Sequence, residues 1–297
     1  MKNRTISTIL LLAVVAITGI LPAQTIQRQV KRTNEKEVKV YLHSTFGTVN
    51  LEQIASGNIV EVYYRQKDND NQPTLDFDYT IRKNVGDLRI EMNPEGAEVV
   101  HSRHGEVNVD LKNVKFKPDE WYVKLTNEVP VSIEAELGAG KSDFDFTGLQ
   151  INELSISTGA SSSKIRFDEK NKSEIRELQI ETGVSKFVAE GLNNANFRKM
   201  KFEGGVGSYY LDFSGELHRT VDVNISVGLG SLTIVVPRSI GVRVKYEDSW
   251  LSNFTIDDEF IRRKKGTYES ENYEQADGRM DIFIESGLGS VKVKRSQ

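Results

Sequence analysis

Hydrophobic and polar residues alternate along most of the chain, and from residue 133 onward the alternation settles into a repeated phrase. The phrase runs apolar-x-apolar-x-x-Gly-apolar-Gly/Ser and then alternates again. It reads IEAELGAGKS at 133–142, LSISTGASSS at 154–163, LQIETGVSKF at 178–187, MKFEGGVGSY at 200–209, VNISVGLGSL at 223–232 and IFIESGLGSV at 282–291. The pivot glycines are Gly138, Gly159, Gly183, Gly205, Gly228 and Gly287, and the first five recur about every 22 residues. Spacing of two within a copy is the strand period, with one face buried and the other wet. A period of this length between copies is that of a solenoid, in which each copy is one rung.

Aligned on their pivots, the copies place apolar residues in columns. Five residues before the pivot stand Ile133, Leu154, Leu178, Met200, Val223 and Ile282; three before it stand Ala135, Ile156, Ile180, Phe202, Ile225 and Ile284. Six after it stand Phe144, Ile165, Ala189, Leu211, Ile234 and Val293. These columns are the predicted core. A single rung leaves its core open, and stacking covers it while adding ladder hydrogen bonds. Between the columns lie Ser155, Lys164, Arg166, Gln179, Glu181, Asn224 and Thr233, a solvated face. The glycines mark corners that need positive φ or a tight bend. The expected fold is all-β: a β-solenoid, or single-stranded β-helix-like stack.

The earlier half alternates too, at 38–42, 60–64, 75–79, 107–111 and 121–125, but without a fixed period. It reads as an N-terminal β domain or cap over 24–127, followed by the repeat solenoid over 128–297. Phe46-Gly47-Thr48-Val49 and His104-Gly105-Glu106-Val107 are faint versions of the phrase. After Pro237 the interval to the last pivot grows to 59 residues. Val244, Tyr246, Ser249, Trp250 and Phe254 there read as a worn copy with serine at its pivot. A polar insert follows at 257–277, containing Arg262-Arg263-Lys264-Lys265. It is either a surface loop or a partner-contacting loop. The last copy ends Lys292-Val293-Lys294-Arg295, charges suited to an edge strand. The only helical signal is a single turn at 169–177.

Composition adds a location. With 38% hydrophobic and 28% charged residues, the chain of 297 residues is globular in character. Lys2 and Arg4 precede an apolar run from Ile9 to Leu21 that ends Pro22-Ala23-Gln24. That order reads as a secretory signal peptide over 1–23, cleaved near Ala23. The other reading is a retained anchor, which the short run, interrupted by Gly19 and closed by Pro22, disfavours. No stable membrane span is expected after cleavage. Losing Lys2 and Arg4 takes the net charge from −4 to −6, and a mildly acidic exported chain suits neither nucleic acid nor anionic lipid. There is no cysteine, which excludes a disulfide scaffold, a thiolate metal site and a lipid anchor on a first cysteine.

Four features tempt a chemical reading. Gly138-Ala139-Gly140-Lys141-Ser142 looks like the end of a phosphate-binding loop, but that loop needs a helix after it, and Asp143-Phe144-Asp145-Phe146 is a strand pattern. His101 and His104 could supply two imidazoles, with no third ligand placed by spacing. Asp68-Asn69-Asp70-Asn71 lacks the glycine and distal glutamate of a calcium loop. Trp121, Trp250, Tyr209 and Tyr210 could stack on sugars, but read better as packing. No catalytic, cofactor-binding or metal-binding residue is therefore expected, and the pivot glycines are the residues singled out.

With these residues in view, the chain resembles the toast-rack family of bacterial envelope proteins. Its C-terminal part is similar to the C-terminal domain of cell-wall-active antibiotic response (Lia-type) proteins. The residues carrying the resemblance are Trp121–Leu125 with Val129-Pro130, the glycine turns, Gly191-Leu192-Asn193-Asn194-Ala195, 202–215, 227–237 and 266–293. The resemblance implies a stacked-strand, non-enzymatic envelope domain and brings no catalytic residue with it. Lia-type members carry membrane helices for which this sequence has no counterpart. The expectation is an exported scaffold or adhesin-like interaction module, in the periplasm or at the cell surface, whose partner is an envelope protein or cell-wall glycan. A regulatory partner in envelope stress and a carbohydrate-active β-helix enzyme are the alternatives.

Overall fold

The computed structural model describes residues 24–54, 56–65, 74–93, 98–101, 107–110, 120–247 and 252–296. The segment 1–23 read as a signal peptide, the acidic stretch 68–71, His104 and the Ser249-Trp250 pivot lie outside the described residues. The strands are β1 (Gln24–Lys31), β2 (Glu37–Ile54), β3 (Asn58–Arg65), β4 (Thr74–Arg82), β5 (Val85–Asn93), β6 (Glu98–His101), β7 (Val107–Asp110) and β8 (Glu120–Thr126). Then come the repeat strands β9 (Val131–Asp145), β10 (Ile151–Arg166), β11 (Ile175–Glu190), β12 (Phe197–Asp212) and β13 (Thr220–Pro237). The chain closes with β14 (Gly241–Glu247), β15 (Ser252–Ile256), β16 (Phe260–Lys264), β17 (Thr267–Ser270) and β18 (Arg279–Ser296). Sixteen of them form one sheet, and β6 pairs β7 separately.

Each long repeat strand is one rung, bent at its pivot. The rungs stack parallel and in register, so Ile133, Leu154, Leu178, Met200, Val223 and Ile282 lie directly over one another. Before the pivot every second residue is buried; after it burial resumes on the opposite parity, as at Leu154, Ile156 and Thr158 and then Ser163, Ile165 and Phe167. That five-residue step folds the strand so that both arms face one interior. Ile156, Ile180, Phe202 and Ile225 are at most 1% exposed, so the predicted columns are the core. Rings interleave along it, Phe146 on Phe167 at 5.1 Å and Phe202 on Tyr209 at 5.3 Å. Opposite the bend, side-chain amides close the open side. Asn171 accepts from the Ile151 N–H at 2.9 Å and donates to its carbonyl at 2.8 Å, and Asn194 donates to the Phe167 carbonyl at 2.9 Å.

The ladder begins earlier in the chain than the repeat does. β2 is a complete rung beneath β9, with Phe46 opposite Ala139 and Gly47 opposite Gly140. Below β2 one arm is β5 and the other is β8, two separate strands that together make a split rung. β4 then covers β5, and β3 followed by β1 covers β8, all antiparallel.

The other end is built alike, and here the order of rungs departs from the order of the sequence. The last copy is not an edge: β18 lies between β13 on one side and β14 and β15 on the other. The worn copy is the split outer rung, which explains the long interval before the last pivot. Residues 257–277 hold the antiparallel β16–β17 hairpin, which covers β14. Arg295, read as an edge charge, is 8% exposed, and its guanidinium donates to the carbonyls of Arg238 and Ile240 at 3.1 Å each. The helical signal at 169–177 gives way to strand β11 from Ile175, and the single described helical turn is a 3₁₀ turn at Leu192–Ala195. Nine layers at about 4.8 Å give a stack roughly 38 Å long.

Candidate interaction surface at the bend

The outside of the bend is the part of this surface that the repeat makes most regular. Its floor is the pivot column. A Cβ on Gly159 would lie 2.4 Å from the Gly138 carbonyl oxygen, on Gly205 2.6 Å from that of Gly183, and on Gly287 2.4 Å from that of Gly228. The pivots are thus glycine because backbone passes over backbone. Positive φ belongs instead to the glycine two residues later, 135° at Gly140 and 137° at Gly230. The pivots therefore leave a furrow of about 510 Å³, lined in part by Gly183, Gly205 and Gly228 with Ser157, Glu181, Glu203 and Ser226.

An apolar line runs beside the furrow. The residue after each pivot points outward, giving the register-aligned line Phe46, Ala139, Ala160, Val184, Val206, Leu229 and Leu288. Val184 is 63% exposed, and Val206, Leu229 and Leu288 are 44% exposed. Single exposed hydrophobes need no explanation, but a contiguous apolar line does. The facing wall is the column two residues before each pivot: His43, Glu136, Ser157, Glu181, Glu203, Ser226 and Glu285. Glu136 accepts from the Tyr41 hydroxyl at 2.9 Å and Glu203 pairs with Lys201 at 2.7 Å. On the far side of the apolar line, three residues after each pivot, stand Thr48, Lys141, Ser162, Lys186, Ser208, Ser231 and Ser290. The sequence signal for the line was in the phrase itself, as the apolar residue between Gly and Gly/Ser. What the pattern alone did not say is that this residue faces water.

The other tempting residues take structural places. Lys141 and Ser142 continue β9, paired with Thr48 and Val49, with no helix for phosphate. Trp121 is buried against Tyr64, ring centroids 4.9 Å apart, and Tyr209 is buried beneath Gly204. Tyr210 is 39% exposed on an outer strand face. A broader groove of about 860 Å³ crosses the outer face near the N-terminal end, lined in part by Glu37, Asp87, Glu134, Glu153, Glu174 and Glu177. Hydrogen bonds from Arg198 (2.5 Å) and then Arg219 hold the Glu174 carboxyl below its ordinary value, against the opposing push of desolvation. Glu174 is thus kept ionised, the wrong state for a general acid. Among the described residues no three His, Cys, Asp or Glu side chains stand together as a metal site, and no helix is long and apolar enough to cross a membrane.

Comparison with known proteins fits this architecture. Residues 21–190 match the family model described as the N-terminal domain of toast_rack. The chain belongs to the toast-rack family. The toast-rack match hands over at the end of β11 to a second model, covering 189–293 and described as cell wall-active antibiotics response LiaF, C-terminal. The hydrogen-bonded ladder of this toast-rack chain runs through that junction from β11 into β12 without a break. Among solved structures the chain is similar to a candidate cell adhesion protein from Clostridium sporogenes, at 20% identity over 92% of this chain and 100% of that one, TM-score 0.43. It is also similar to a candidate adhesin from Bacteroides fragilis, at 12% identity over 93% and 100%, TM-score 0.31. A third is a candidate lipid binding protein from Parabacteroides distasonis, at 9% identity over 93% and 98%, TM-score 0.32. No curated protein matches the chain.

Proposed function

We propose that this toast-rack chain is an exported, non-catalytic module of the bacterial cell envelope that works by surface contact, as a scaffold or adhesin-like interaction domain. The observation that carries the reading is the exposed apolar line at the bend, Val184, Val206, Leu229 and Leu288, held at fixed spacing beside a glycine furrow. Apolar side chains kept in water at regular intervals on a rigid ladder favour a protein partner over a cell-wall glycan, which is bound through polar groups and aromatic faces. The leader-like segment at 1–23 and the family match support the envelope as its place.

Fractionation and partner capture test this. The chain is expected in the envelope or exported fraction with its N-terminus near residue 24, to capture an envelope protein, and to leave a glycan array blank. A cytoplasmic chain with its N-terminus intact would contradict the reading. The match of 189–293 to the antibiotic-response model favours a second reading, a regulatory partner in the response to cell-wall antibiotics. A deletion strain with an unchanged response to such antibiotics would remove it.

A further inference from the structure

The apolar line, its furrow and its two flanking columns fit one another. We propose that two copies of the chain pair through the bend about a two-fold axis running along the stack, an inference that rests on reading the bend as a contact surface. In this arrangement the apolar line of each copy lies over the pivot glycines of the other, where the missing side chains leave the furrow. Each rung then faces the same rung of its mate, because an axis along the stack preserves height.

The charges select this axis. Placing the apolar line over the pivots brings the column two before the pivot against the column three after it. Glu136 then faces Lys141 and Glu181 faces Lys186, twice each, once from each copy. Glu203 faces Ser208, Glu285 faces Ser290, Ser157 faces Ser162 and Ser226 faces Ser231, so no level sets like charges opposite. An axis across the stack would reverse the heights and set Glu181 against Glu181 and Lys186 against Lys186 at the central level, which costs free energy there and leaves no glutamate facing a lysine. A two-fold contact must be self-complementary, and this edge is.

Size sets the strength. The line spans seven levels, about 29 Å at ~4.8 Å per level. Its exposed apolar area is a few hundred Å², short of the ~800 Å² per partner of a standard interface. An interface of this size is that of a reversible, transient pair. The glutamate column beside the line repels an anionic bilayer, which makes a second chain the better occupant than a lipid surface.

The test is sedimentation equilibrium on protein purified after expression of the full chain, over a wide concentration range. The wild type is expected to shift from monomer to dimer. The exposed double substitution Val206→Ser with Leu229→Ser should weaken pairing about tenfold or more while leaving the thermal midpoint in place. Glu181→Lys and Lys186→Glu should each weaken self-pairing, and a mixture of those two variants should recover it as a heterodimer, since each level then again opposes unlike charges. A monomer at every concentration, a dimer indifferent to Val206 and Leu229, or failure of the mixed charge swap would overturn the pairing. A monomer that still captures an envelope protein through Val206 and Leu229, or sediments with anionic vesicles, would overturn the pairing but keep the bend as a contact surface. A monomer that captures nothing would sink both.

Discussion

The carbonyl oxygen of Gly183 lies 2.6 Å from the place where a Cβ on Gly205 would sit. Both partners in that clash would be backbone or rigidly attached to it, so neither yields cheaply. Gly205→Ala should therefore destabilise the chain by about 1–3 kcal/mol, read as a lower thermal or urea midpoint. Ala160→Ser, on the exposed line one position after a pivot, should stay within about 0.5 kcal/mol of wild type. Equal midpoints for the two variants would show that the glycine column is not held by close approach.

The position of β18 makes the C-terminal segment internal to the stack. Removing residues 279–297 should strip β14 and β15 of their parallel neighbour, leave the β16–β17 hairpin that covers β14 without support, and open the layer above β13, while β9–β12 keep theirs. Hydrogen exchange should show protection lost across 241–270 and retained across 151–190. Arg295→Ala should act on the same end but mildly, by about 0.5–1.5 kcal/mol per bond lost, because the Asn272 side-chain amide still donates to the carbonyls of Arg238 and Ile240. Uniform loss of protection along the whole ladder would contradict this ordering.

Alkaline pH should loosen the chain late. Burial, and then a hydrogen bond to Glu136, push the Tyr41 phenol from 10.0 up to about 12. Burial, and then a hydrogen bond to Asp281, do the same at Tyr273, also to about 12. A phenol whose folded pKa is raised contributes stability that is complete below its unfolded value and lost as pH climbs through the folded one. The stability carried by these contacts should thus decline between about pH 10 and 12, with these two phenols ionising only as the fold is lost. Tyr41→Phe should flatten that decline. Ordinary titration of all the tyrosines near their free value in a folded chain would refute it.

Acid acts through the opposite sign. Burial raises the Asp145 carboxyl, but hydrogen bonds from Arg166 at 2.5 Å and from Thr147 outweigh it and hold the group below 3.8. Its contribution is present above that ordinary value and disappears as pH falls through the depressed one. Arg166→Met should shift the acid unfolding midpoint upward, in a titration followed by circular dichroism. An unchanged midpoint would mean that solvent screens the pair completely.

The periodic part of the fold was legible because each rung obeys one rule. Ile156, Ile180, Phe202 and Ile225 alternate with polar residues and sit over one another, so aligning glycines also aligned the core. What composition could not reveal was the order of the rungs. A strand's side chains record which face is buried, not which neighbour lies above, so β18 looked like an end when it is an interior layer. β2 was partly visible, since Phe46-Gly47-Thr48-Val49 read as a faint copy of the phrase, but it has Thr45 at its pivot and 93 residues separate Val40 from its partner Ile133. The bend surface was half visible. Its apolar residue was in every copy, but alternation assigns inside and outside only along a straight strand, and at the pivot the parity changes.

The split, antiparallel-covered rungs at both ends carry a consequence for how such a protein changes over generations. Added layers cannot be appended at either end of the stack, because antiparallel strands close both ends as lids and β18 is itself an interior layer. They can enter only in the middle, where duplication of a segment such as 151–174 would insert one more identical storey between unchanged neighbours. Relatives of different heights should therefore differ in their central segments and agree at their two lids.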